Sequence, residues 1–441
     1  MAAGNMAAEN RGKRRKGRRG ANGARANAPW AILGMALFIL GAGLGALGWI
    51  ALGTGARVEQ ANREADAFSR EYWQTPIPPQ GAPPPGTAPQ ATGLEPTACA
   101  LCHLDKYQDW AQSLHAHAMG PGVLGQFPGM GFGQQAECLA CHAPMAEQWA
   151  QLPTGAGWQD NTLYDAALRD AGITCAACHL RAHRRHGPPT SPQKAANMAP
   201  QASNALHGPA TRTPHFQASE FCRGCHQHPA TSLAINGKPV ENTYNEWLES
   251  PAARKGITCQ QCHMPGGRHQ WLGIHDVEMT RSGVTEQFTV APEKPRRGEA
   301  FSAALTLTNT GTGHAFPTYT TPAVHLRAAL LDAENRALPG YYAEVTLQRR
   351  LDMGTTPWSE LADTRLLPGQ SATVRLEGDI PAAARFIYLW AWVEPDNFYT
   401  GFFQARLSAQ GDFPGRAALE AALRTSESRA YLLFRHKVPI P

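Results

Sequence analysis

All ten cysteines of this 441-residue chain fall into five Cys-x-x-Cys-His pentads: Cys99/Cys102/His103, Cys138/Cys141/His142, Cys175/Cys178/His179, Cys222/Cys225/His226 and Cys259/Cys262/His263. A lone Cys-x-x-Cys would suit a redox dithiol or half a zinc site. Zinc has no need of a histidine at the fifth place of every pentad, and a disulfide scaffold has no need of histidine at all. Covalent haem needs both residue types, because two thiols add to the two vinyl groups and the next residue reaches the iron as its proximal ligand. The pattern predicts five covalently bound haem c groups, held by the ten cysteines, with His103, His142, His179, His226 and His263 on the irons. Attachment of this kind belongs outside the cytoplasmic membrane.

Successive first cysteines are 39, 37, 47 and 37 residues apart. Such intervals leave too little chain for a large apolar core around each site, so the haems themselves must act as core and lie close together.

The N-terminal region agrees with external placement. Residues 1–29 form a basic tail with eight Lys/Arg against the single acid Glu9, and the remaining 32 basic and 34 acidic residues nearly balance. The positive charge therefore belongs to the tail and gives no evidence for nucleic-acid binding. Residues 30–53 (Trp30 to Gly53) are uncharged over 24 positions, enough for a transmembrane helix. Basic flank inside and remainder outside is the expected orientation, which places the chain on the inner membrane with its other domains in the periplasm. A cleaved secretory signal is the competing reading, with a shorter apolar region as a rule. Residues 54–96 read as a short helical stalk followed by a Pro-rich linker that includes Pro83-Pro84-Pro85.

The pentads occupy residues 97–283, the expected pentahaem cytochrome domain. Within it Tyr107-x-x-Trp110-x-x-Ser113 recurs as Tyr244-x-x-Trp247-x-x-Ser250, and Gly172-Ile173-Thr174-Cys175 recurs as Gly256-Ile257-Thr258-Cys259. From Val284 the texture changes to alternation, as in Phe301/Ala303/Leu305/Leu307 and Val324/Leu326/Ala328/Leu330, with turns at Asn309-Thr310-Gly311 and Leu367-Pro368-Gly369. Phe386 to Val393 is apolar on both faces and reads as a central strand. Residues 284–441 are expected to form an immunoglobulin-like β-sandwich with a final helix near Arg416 to Phe434 packed on it, making the whole chain multidomain α + β.

Several stretches resemble the cytochrome c-552/c-554-type multihaem family, which is related to hydroxylamine oxidoreductase and pentahaem nitrite reductase. They are Ser219 to Gln227, Asn242 to Ser250, Gly256 to Pro265, Gly267 to Asp276, Tyr107 to Ala118 and Asn309 to Thr318. The resemblance implies a mostly loop-and-helix domain organised by haems, with histidine on both faces of most irons. It also implies distal ligation by His115, which follows the Tyr-x-x-Trp-x-x-Ser motif, with His117 as fallback, and by His207 and His275, with His269 competing with His275. His186, in the basic loop beside His183, either ligates or helps to neutralise haem propionates. His314 is either a turn histidine or a cap that dips back from the sandwich onto a haem. His325 and His436 read as surface or packing residues. The nitrite reductases typically have a lysine-ligated catalytic haem, and no Cys-x-x-Cys-Lys occurs here.

Two functions follow. In the first the chain is an electron carrier with no catalytic side chain, exchanging electrons with a membrane quinol oxidase or a soluble cytochrome, because a filled sixth position leaves iron no site for substrate. In the second it is a multihaem oxidoreductase acting on a small nitrogen or sulfur compound at one open haem. The second pentad is the natural suspect, since no histidine closely follows Cys141-His142.

Overall fold

The computed structural model describes residues 70–190, 210–229, 234–352, 358–409 and 411–441, together with Gln60, Arg63, Ala67 and Phe68. The basic tail, the apolar stretch expected to be an anchor, and His207 lie outside the described residues. Among the described residues no helix is long and apolar enough to cross a membrane.

The helices of the pentad region are short; among them are α1 (Pro96–Ala100), α2 (Leu104–Ala111), α3 (Phe132–His142), α4 (Cys175–His179), α5 (Glu220–His226), α6 (Thr243–Leu248), α7 (Cys259–His263) and α8 (Val277–Ser282). Helices α3, α4, α5 and α7 each end on the histidine of a pentad, and the first pentad bridges α1 and α2. Local chemistry starts these turns: Thr174 Oγ1 accepts from Ala177 N at the head of α4, and Thr258 N donates to Gln261 Oε1 at the head of α7. The apolar clusters here are small, such as Ile77, Met145, Ala176, Ala177 and Leu180. That matches the expectation that the chain alone supplies little core.

The linker differs from its expected form. Ile77 is fully buried, its N–H donates to Pro144 O at 2.7 Å and its carbonyl accepts from Ala146 N. Tyr72 Oη donates to Cys178 O, Trp73 Nε1 donates to Phe221 O, and the Arg181 guanidinium sits 3.9 Å over the Tyr72 ring. Residues 72–80 are thus part of the haem domain, because their aromatic and branched side chains gain more by burial than the prolines gain by staying extended in water.

Beyond Gly283 the chain forms strands β1 (Val284–Ala291), β2 (Ala300–Asn309), β3 (Ala323–Leu331), β4 (Ala337–Leu347), β5 (Arg349–Asp352), β6 (Ser359–Asp363), β7 (Ser371–Asp379) and β8 (Phe386–Glu394). Helices α9 (Asn397–Ala409) and α10 (Arg416–Ser428) and strand β9 (Tyr431–Pro439) follow. A sheet ordered β7-β2-β1 faces one ordered β4-β3-β8-β9, all pairs antiparallel. Leu305, Leu307, Leu326, Leu330 and Leu347 are at most 1% exposed between them. At about 2 kcal/mol for each buried leucine, this domain has an apolar core that the pentad region lacks. Strand β8 is central, but only Ile387, Leu389, Ala391 and Val393 are fully buried, while Tyr388 and Trp390 stack on the other face.

The C-terminal helix is also corrected. It stops at Ser428, and Tyr431 to Phe434 begin the edge strand β9. Its buried face, Leu419 and Ala422, packs with Phe403 of α9. It also meets the 121–125 turn of the haem domain, where a Cβ on Gly125 would lie 2.7 Å from Leu419 Cδ2. The helix therefore joins the two domains instead of covering the sandwich.

Candidate haem sites

The internal repeat is a structural unit. In the first copy Trp110 Nε1 donates to Ile173 O at 2.8 Å, and in the second Trp247 Nε1 donates to Ile257 O at 2.9 Å. Each Tyr-x-x-Trp helix thereby holds the Gly-Ile-Thr-Cys strand that leads into a pentad. Ile173 N donates to His115 O, and Ile257 N donates to Ala252 O, so Ala252 stands where the first copy has His115. Gly172 and Gly256 both adopt positive φ, +67° and +70°. A side chain at Gly172 would collide with His115 O at 2.7 Å.

Three histidine pairs share one spacing. Ring centroids lie 6.4 Å apart for His115 and His226, 6.3 Å for His179 and His269, and 6.3 Å for His263 and His314. A metal bonded at about 2 Å by Nε2 of each of two imidazoles, with about 1.1 Å more from each nitrogen to its ring centre, separates the centroids by about 6 Å. In each pair one histidine closes a pentad and the other comes from elsewhere in the chain.

The Nδ1 atoms face outward to fixed partners. His142 Nδ1 bonds Ala118 O at 2.6 Å, His179 Nδ1 bonds His186 O at 2.8 Å, and His263 Nδ1 bonds Leu272 O at 2.7 Å. His269 Nδ1 bonds Gly267 O and His314 Nδ1 bonds Ala315 O, both at 2.9 Å. His226 Nδ1 instead meets a phenol, Tyr319 Oη of the β domain, at 2.5 Å. A carbonyl at Nδ1 fixes that nitrogen as the N–H and leaves Nε2 with a free lone pair, the tautomer a metal requires. Burial, reinforced by neighbouring histidines, pushes His115 down to about 3, and burial chiefly pushes His179 and His226 down to about 4. All three are thus neutral near neutral pH.

The other expected distal positions are placed differently. His275 turns Nε2 to Asp396 Oδ1 at 3.0 Å and is committed to the β domain. His269, the competitor six residues earlier, is the one that faces His179. His186 brings its backbone carbonyl to His179, while its ring packs edge-on against Tyr72. His183 bonds Gly81 O through Nε2. His117 is exposed. Two further features escaped sequence reasoning: the Tyr319 contact, and Asp109, whose carboxylate takes a forked bond from Arg268 and accepts His269 N–H at 3.0 Å. The shared Tyr-x-acid-Trp pattern, with Asp109 and Glu246 at the same place, was the available signal.

The ten cysteines form no disulfide, and among the described residues no three His, Cys, Asp or Glu side chains converge as a zinc site would require. Thiols of different pentads are neighbours that perturb one another's ionisation: Cys99 and Cys175, Cys141 and Cys225, and Cys222 and Cys259.

The pentads differ in exposure. Cys102 and Cys262 are exposed, whereas the other eight cysteines are partly buried. The reason at Cys102 is local. The first pentad straddles the break between α1 and α2 instead of closing one helix, and Cys102 sits in that turn, its N–H donating to Cys99 O at 3.2 Å. Its neighbour His103 is exposed as well. Cys99 thus turns inward to Cys175 while Cys102 turns to solvent, which puts the first pentad at the rim of the cluster. Taken together, the donor set, the spacing of the histidine pairs and the outward Nδ1 bonds fit covalent haem.

Residues 98–180 match the family described as cytochrome c554 and c-prime. The fold is similar to that of a penta-heme cytochrome c552 from Thermochromatium tepidum, with TM-score 0.55 and 20% identity over 80% of this chain and 100% of that chain. A Pseudomonas fluorescens alkylpurine DNA glycosylase, AlkC, aligns with 52% of this chain and 55% of its own at 11% identity, but its TM-score of 0.17 carries no argument. No curated protein matches the chain.

Proposed function

We propose that this chain, a multihaem c-type cytochrome by its family match over residues 98–180 and by its fold, carries five haems and serves as an electron carrier. The observation that carries the reading is the set of three histidine pairs at 6.3 to 6.4 Å. Bound haem supplies reversible one-electron chemistry. The residues supply the rest. Cys175/Cys178, Cys222/Cys225 and Cys259/Cys262 would tether three haems, and the pairs His179/His269, His226/His115 and His263/His314 would hold them. Cys99/Cys102 with His103, and Cys138/Cys141 with His142, hold the other two.

Mutual perturbation of thiols in pentads one and three, two and four, and four and five places these attachment sites near one another and supports a continuous array. Cys178 acts electrostatically on both Cys222 and Cys225, which places the third site near the fourth. The donor or acceptor is a membrane quinol oxidase or a soluble cytochrome. Residues 30–53 would anchor the chain in the inner membrane with the haem and β domains in the periplasm. Haem quantification with a potentiometric titration tests this: five haems per chain and stepwise reduction by a small c-type cytochrome are expected. Fewer haems, or no reduction by any carrier, would defeat it.

One observation favours the second reading for the second pentad. Among the described residues no histidine ring faces His142 at the spacing of the three pairs. Glu241, pushed up to about 8 chiefly by burial, lies near Cys141 and would be protonated at neutral pH. A high-spin signal that shifts on adding nitrite, hydroxylamine or cyanide would support a reactive second haem, and a wholly low-spin protein would remove it.

A further inference from the structure

We infer that Asp109 and Glu246 are equivalent carboxylate clamps, each holding a distal histidine in place over the haem of its own repeat. The inference rests on the reading of His269 and His314 as iron ligands. Both acids occupy the same position of the repeated helix motif, immediately before Trp110 and Trp247.

In the first copy Asp109, 5% exposed, takes a fork of bonds from Arg268 Nε and Nη2 at 2.6 to 3.0 Å. Its Oδ2 also accepts the backbone N–H of His269 at 3.0 Å. In the second copy Glu246 Oε1 accepts from Arg365 Nη1 at 2.8 Å, and Oε2 accepts Ala315 N, next to His314, at 3.2 Å. Both carboxylates therefore combine one arginine with one backbone N–H at or beside the histidine.

Each clamp closes a circuit. Trp110, the neighbour of Asp109, bonds Ile173 just before Cys175, and the histidine of that pentad, His179, faces His269. Trp247, the neighbour of Glu246, bonds Ile257 just before Cys259, and His263 of that pentad faces His314. One short helix thus fixes both sides of one site: its tryptophan sets the proximal strand and its acid sets the distal loop.

The distal loops need such a hold. Residues 266–271 contain positive φ at Gly266, Gly267 and Trp271, and their only regular structure is the single turn Pro265–Gly267. His314 itself lies in irregular backbone: Asn309 Nδ2 and Thr312 Oγ1 hold its carbonyl, and Glu246 Oε2 holds the N–H that follows it, that of Ala315. Two isolated surface ion pairs would not reproduce the same backbone contact, the same motif position and the same partner site. Backbone contact from a carboxylate is directional and charge-assisted, which suits a positioning role.

The test uses the full haem-loaded chain and variants D109N, D109A, E246Q and E246A, with H269A and H314A as references. Haem content is measured first, and spin state by low-temperature electron paramagnetic resonance with and without added imidazole. D109N is expected to convert one low-spin iron to a high-spin form that imidazole returns to low spin, and E246Q to do so at a different iron. D109E and E246D should restore most of the low-spin signal. If H269A and H314A create high-spin iron while none of the clamp variants does, the clamps are overturned and the ligand assignment stands. If H269A and H314A leave every iron low-spin, the ligand assignment falls and the clamps with it. Where an alanine variant fails to accumulate, the Asn and Gln variants decide.

Discussion

Replacing Tyr319 by phenylalanine is expected to raise the midpoint potential of the haem held by His226 and of no other. With Nε2 on iron, His226 Nδ1 must carry the proton, so the phenol oxygen at 2.5 Å is the acceptor. An accepted hydrogen bond makes the imidazole more electron-rich and favours ferric iron. Removing the acceptor therefore favours ferrous iron. One neutral hydrogen bond contributes about 1 kcal/mol net, and a one-electron couple shifts about 59 mV for each tenfold change, which together set a ceiling of about 40 mV on the rise. Spectroelectrochemical titration of the haem-loaded protein resolves the transitions. A downward shift, no shift, or equal movement of every transition would refute the reasoning.

Other perturbations have equally definite outcomes. H314A should alter one iron's spectrum alone, and an unchanged spectrum at every haem would remove the sandwich loop from the array. G172A should cost more than G256A: both add the strain of positive φ, about 1 to 2 kcal/mol, but only the first drives a Cβ to 2.7 Å from His115 O. Equal thermal shifts for the two variants would contradict this. Burial raises the Glu344 carboxyl, but hydrogen bonds from Tyr342, His325, Arg327 and Thr346 outweigh it and hold the group at about 2. Because the folded value lies below the unfolded one, the contribution to stability is complete above about pH 4.3 and drains away as pH falls towards the folded value. E344Q should flatten that acid loss, measured as melting temperature against pH, and an unaltered slope would count against the assignment.

The proximal half of every site was legible in the sequence because its chemistry is local: thiols and imidazole lie within five residues. What spacing could not convey was exposure: Cys102, at a helix break, and Cys262, inside α7, are exposed, whereas Cys178 in the same pattern is partly buried. The sandwich was legible because alternation reports a buried face. Distal ligands were harder, since they are chosen by contacts across the fold. His269 and His275 sit six residues apart in one irregular segment, and what separates them is Asp109, 160 residues before His269, and Asp396, 121 residues after His275. His115 was readable from its motif, but its partner His226 was not, because the helix carrying the motif docks on the strand leading to Cys175 rather than beside Cys222. The linker was misread because prolines dominate its composition, whereas Tyr72, Trp73 and Ile77 determine where it packs.

The account stands or falls on the ligands of the irons. Near-infrared magnetic circular dichroism of the haem-loaded chain, scaled to haem content, counts bis-histidine irons directly. Five haems per chain, with at least three bis-histidine irons, a count that drops by one in H269A, is the result predicted. Fewer than three such irons, or an unchanged count in H269A, would contradict it.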